Sequence, residues 1–139
     1  MKRTLAYAFW KRQIIILVHT KEAPTAEEWE AYCVAAGGWV KDIRGILVVS
    51  EGGGPNSMQR GQLETVLTRE RLTGKTAVVT LSSIARGIVT ALSWFTPNIK
   101  AFSTIQIPAA LDYLGVPKDE HESLTKELTG LRQKLALPT

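Results

Sequence analysis

The stretch Gly45-Ile46-Leu47-Val48-Val49-Ser50-Glu51-Gly52-Gly53-Gly54-Pro55-Asn56-Ser57-Met58 constrains this chain more than any other. Its apolar, β-branched first half predicts a buried strand, and its glycines predict a turn that delivers a hydroxyl to the first turn of a helix. Free amides at a helix start suit an anion, a nucleophile or a regulatory phosphate. A strand that passes through a glycine turn into a helix is the repeating unit of α/β proteins.

The rest of the chain repeats that unit. Leu5 to Trp10 and Gln13 to His19 are strand-like runs around a charged break at Lys11-Arg12, which suits a hairpin or one long bent strand. Thr25 and Glu28 have capping-box spacing, so a helix is expected from there to about Trp39, weakened or ended by Gly37-Gly38. Ile43 to Ser50 is the next strand. Asn56 or Ser57 caps a helix reaching about Leu72, with Leu63, Val66 and Leu67 as its apolar stripe. Lys75 to Leu81 reads as a strand and Ile84 to Phe95 as an apolar helix ending before Pro97. A strand from Ile99 to Thr104 and a helix from Pro108 to Leu114 follow. Alternation of this kind after an opening hairpin predicts a mixed, mainly parallel sheet of four to five strands covered by helices.

Gly115-Val116-Pro117 marks the end of that core, so residues 1–116 are expected as one α/β domain and 117–139 as an amphipathic helix and tail. Leu124, Leu128, Leu131 and Leu135 recur at spacings of four, three and four on this last, otherwise charged segment. The stripe suits either packing on its own domain or a dimer or partner helix.

With 139 residues, 45% hydrophobic and 22% charged, the chain can build a core without disulfides or a structural metal. Its one cysteine, Cys33, excludes an internal disulfide framework and suits a reducing, cytoplasmic setting. The apolar run Ile14 to Val18 is too short to span a membrane. The net charge is +4, but cations are scattered among acids, and the densest group, Lys2-Arg3 with Lys11-Arg12, is too small to indicate nucleic acid.

The opening strand pair, Thr76-Ala77-Val78-Val79-Thr80 before an apolar helix, and Ile99-Lys100-Ala101-Phe102 leading into Ile107-Pro108-Ala109-Ala110-Leu111-Asp112-Tyr113-Leu114 resemble the SpoIIAA-like branch of the STAS superfamily. The resemblance covers roughly residues 1–116. It implies a helix-covered sheet and a non-enzymatic regulatory or scaffolding role through protein–protein contacts, as in anti-sigma-factor antagonists. Regulatory members carry a phosphorylatable Ser or Thr at the start of the helix after the central strand, often in Asp-x-Ser-Gly. Ser57 occupies that position here, without the aspartate or the glycine.

The remaining residues fill out the candidate sites. Gly52, Gly53, Gly54, Asn56 and Ser57 form the candidate anion or ligand loop, although neither a Walker A nor a dinucleotide spacing is present. Trp94 and Phe95, with Leu124, Leu128, Leu131 and Leu135, are the candidate contacts to a protein partner or a second copy. No catalytic set is complete: His19 and His121 are the two histidines, no nucleophile elbow is present, and a Ser57/His19 hydrolase is a remote alternative. One cysteine and two distant histidines make no metal site, and no cofactor motif appears. The rival to protein binding is a small-ligand module, taking a lipid-like or anionic molecule under the third helix.

Overall fold

The computed structural model describes residues 2–69, 74–93 and 98–138. A single five-stranded sheet organises the molecule. Strands β1 (Leu5–Trp10), β2 (Ile14–His19), β3 (Gly45–Ser50), β4 (Lys75–Thr80) and β5 (Ile99–Phe102) lie side by side in chain order. β1 and β2 are an antiparallel hairpin, and β2 through β5 are parallel. The fold expected from the alternation is therefore the fold observed.

Four helices follow the pattern closely: α1 (Ala26–Trp39), α2 (Ser57–Arg69), α3 (Ser83–Ser93) and α4 (Ile107–Tyr113). The last, α5 (His121–Lys134), closes the chain. The ends of the elements differ from expectation for local reasons. A 3-10 turn at Val40–Asp42 buries Val40 and Ile43, so β3 begins at Gly45 rather than Ile43. Ser103 and Gln106 cap each other around another 3-10 turn, which stops β5 at Phe102. Helix α1 runs through its glycine pair, where a Cβ on Gly37 would come within 3.2 Å of Val66 on α2, so a small residue lets the two helices approach.

Each face of the sheet has its own core. On one face, Leu5, Ile15, Leu17 and Ile46 pack beneath Trp29, Tyr32, Cys33 and Ala36 of α1, with Leu63, Val66 and Leu67 of α2 beside them. On the other, Ile14, Ile16, Val18, Leu47, Val49, Ala77 and Val79 meet Ala110 and Leu111 of α4 and the leucines of α5. Strands buried on both faces read as continuous apolar runs, as Ile14 to Val18 does.

Two expectations are corrected by this packing. Leu124, Leu128, Leu131 and Leu135 are all buried in the chain's own core, so the stripe is covered by β1 and β2 and is not available to a partner. The boundary expected between residues 116 and 117 likewise divides nothing, because Val116 and the α5 leucines belong to one cluster. A sheet face that α4 alone leaves half bare needs a second cover, and α5 supplies it.

Candidate functional site

The carboxyl ends of the parallel strands form the edge where α/β sheets place their functional loops. His19, Ser50 and Thr80 lie in register across β2, β3 and β4, and all three are buried. Ser50 begins the glycine loop and holds it. Its Oγ accepts from the Gly52 amide at 2.9 Å and donates to the Gly53 carbonyl at 2.5 Å. The Gly53 amide donates to the Thr20 carbonyl at 2.9 Å. A Cβ on Gly53 would lie 2.5 Å from that oxygen and 2.4 Å from the Glu22 carbonyl, and Gly52 has φ +133°. The glycines are thus required by a tight turn against the 20–22 segment. Since the Gly52 and Gly53 amides already donate within the protein, they are not offered to an anion.

Asn56, not Ser57, caps α2. Its Oδ1 accepts from the Gln59 amide at 2.8 Å, and Gln59 Oε1 accepts from the Asn56 amide at 3.0 Å. Buried Gln59 also donates to the Pro24 carbonyl and accepts at its own carbonyl from Trp29 Nε1, so the cap is tied to α1. Ser57 is left exposed at the first helical position, beside exposed Met58. Helix α3 starts from the neighbouring strand in the same way. Ser82 Oγ accepts from the Ala85 amide, Thr80 Oγ1 accepts from the Ser82 amide, and Arg86 donates to the Thr80 carbonyl.

Helix α3 packs along β4 and β5 but turns only part of its apolar arc inward. Ala85, Arg86 and Val89 are half-buried. Leu81, Ile84 and Ile88 are 66%, 77% and 53% exposed. Ile84 and Ile88, four apart on α3, share one face in solvent, and Leu81 is exposed just before the helix. Because β3 and β4 are adjacent and parallel, the loops that lead into α2 and α3 leave the same edge of the sheet. Trp94 and Phe95, the contacts expected further along, lie outside the described residues.

His19 is no base for Ser57. It stacks on Trp29, its Nδ1 is buried without a partner, and no hydrogen bond joins it to exposed Ser57 among the described residues. Burial lowers its pKa to about 4, against the opposing pull of the Glu28 carboxylate. His121 belongs to another part of the molecule, with Nε2 3.0 Å from the Val116 carbonyl and 3.5 Å from Asp112. Among the described residues no group of three His, Cys, Asp or Glu side chains could hold a metal ion, and no helix is long and apolar enough to cross a membrane.

One contact at this edge has no signature in the sequence. Arg132 of α5 bridges to Glu51 in the glycine loop, both side chains being largely buried, and its Nε donates to the Pro138 carbonyl. The partners are 81 residues apart, and only the return of α5 across the sheet brings them together. A cleft of about 220 Å³ opens at the opposite, amino end of the strands, lined by Gln13, Ile14, Arg44, Leu114, Val116 and Glu120 among others. This cleft does not involve α3. No family model matches the chain, and no curated protein matches it.

Proposed function

We propose that the chain is a non-enzymatic regulatory or scaffolding module of the STAS, SpoIIAA-like kind, working by protein–protein contact at the carboxyl edge of its sheet. One observation carries this reading: Leu81, Ile84 and Ile88 stand in solvent at and just before the start of α3, with Met58 exposed at the start of α2 on the same edge of the sheet. Contiguous exposed apolar side chains rimmed by polar groups mark interaction sites. Ser57 is exposed next to Met58, at the first turn of α2. A phosphate there would add up to two negative charges beside an apolar contact and switch it off or redirect it.

The test is affinity co-purification from the source cells. The wild-type chain is compared with Ile84→Glu/Ile88→Glu and with Val34→Glu, a control on an exposed apolar residue of α1. A specific partner retained by wild type and control, and lost by the double variant at unchanged melting temperature, is the expected result. Retention of the same proteins by all three overturns the reading. Ser57→Asp is expected to weaken the same complex while Ser57→Ala leaves it intact.

A further inference from the structure

We infer that the amino edge of the sheet, opposite the surface proposed above and independent of it, binds the phosphate backbone of single-stranded nucleic acid. The cations concerned are far apart in the chain and are gathered by topology. Lys11 and Arg12 form the β1–β2 turn, Arg44 precedes β3, Lys75 begins β4 and Lys100 lies in β5. Gly45 pairs with both Ile14 and Lys75, and Ala77 pairs with Lys100, so these residues stand on four adjacent strands. At a strand spacing of about 4.8 Å the row is about 15 Å long.

Arg44, Lys75 and Lys100 have no carboxylate partner among the described residues. Two of the acids nearby are already paired with cations, Asp42 with Arg12 and Glu120 with Lys11, and Asp112 lies 3.5 Å from His121 Nε2. The three unpaired cations share one side of the sheet. Lys75 and Lys100 lie over the Tyr113 ring at 4.9 and 5.9 Å, and Arg44 lines the cleft with Leu114 and Val116 just beyond it. The cleft, about 220 Å³, is below the roughly 300–1,000 Å³ of a drug-sized site, so it suits one group of a longer ligand. Its lining mixes Ile14, Leu114 and Pro117 with Gln13, Arg44 and the Lys11-paired Glu120, a combination that suits a sugar or the polar edge of a base.

The turn adds a further sign. Lys11 and Arg12 have φ of 48° and 53°, a conformation that costs about 1–2 kcal/mol at a non-glycine residue and that an Asn-Gly turn would adopt without strain. Two cations are held there nonetheless, over the Trp10 and Phe9 rings. A linear row of charges fits a linear polyanion. Among the described residues, Met58, Leu81, Ile84 and Ile105, four of the six exposed large apolar side chains, belong to the other end of the strands, so an anionic bilayer fits this edge less well.

The test is fluorescence anisotropy of the full chain with labelled oligouridylate and oligothymidylate of about 12 nucleotides, across salt concentrations. With three phosphates neutralised, log Kobs against log salt is expected to fall with a slope of about −2. Arg44→Gln/Lys75→Gln/Lys100→Gln is expected to lose at least tenfold in affinity and most of that slope at an unchanged melting temperature. Lys21→Gln/Arg60→Gln, which removes exposed cations elsewhere, should change little. No binding at about 50 mM salt, equal loss in both variants, or equal binding of polyglutamate or anionic vesicles each overturns the proposal.

Discussion

At the scale of single residues, His19 and Glu28 set how the protein meets acid. Glu28 would be pushed up by burial, but Thr4 and Thr25 each give it a backbone amide and a hydroxyl, which bring its carboxyl down to about 2. Its folded pKa is below the ordinary value of 4.5, so its contribution is full above that pH and is lost as pH falls towards 2. His19 acts in a higher window. Its pKa falls from 6.5 to about 4 on folding, so the unfolded chain takes up the proton first and stability drops between those values. Urea unfolding at pH 7.5, 5.5 and 4.5 should show a decline of up to about 1.4 kcal/mol per pH unit in the lower part of that range. His19→Phe is expected to flatten the decline above pH 4.5, whereas Glu28→Gln should keep or deepen it, since the carboxylate's pull on His19 is gone, and should lower stability at neutral pH by about 1–3 kcal/mol through orphaned donors. The Thr25–Glu28 cap was legible from spacing alone. The reach of Glu28 back to Thr4 was not, because it depends on α1 lying beside β1.

At the scale of elements, α3 and α5 carry similar apolar stripes with opposite fates. The stripe on α5 is buried and that on the start of α3 is exposed. Leu128→Ala should therefore cost about 2–5 kcal/mol, and Ile88→Ala within about 0.5 kcal/mol, in denaturant unfolding. Similar losses at both positions would mean that α3 buries its isoleucines in solution. Periodicity revealed both helices, since it records that one side of a helix must be apolar. It does not record what covers that side. For α5 the cover is the bare sheet face left by α4, which becomes visible only once the strand order is known. The cations of the amino edge escaped the sequence for the same reason. Lys2-Arg3 and Lys11-Arg12 look like one group in the chain, yet they stand at opposite ends of β1, while Arg44, Lys75 and Lys100 converge from three separate segments.

At the scale of the whole molecule, the mixed, mainly parallel sheet was legible because strands that alternate with helices after an opening strand pair need crossover connections. The unity of the fold was not, because it rests on α5. Four leucines of that segment are buried, and at about 2 kcal/mol each they contribute about 8 kcal/mol. That is similar to the roughly 5–15 kcal/mol by which a whole domain is stable. A chain ending at Val116 would also uncover Ile14, Ile16 and Val18 and free Glu51 from Arg132. It is expected to lose cooperative thermal unfolding and to aggregate, as read by circular dichroism and light scattering. A change of oligomeric state on that truncation would then report exposed core rather than a lost dimer helix. A cooperative, monomeric 1–116 chain would show instead that the other face and α4 suffice, and α5 would return to the surfaces free to bind. Arg132→Ala separates the two roles of the segment. It keeps the leucines and releases the glycine loop, so it should leave the melting temperature within a few degrees while raising hydrogen exchange at the Gly52 and Gly53 amides.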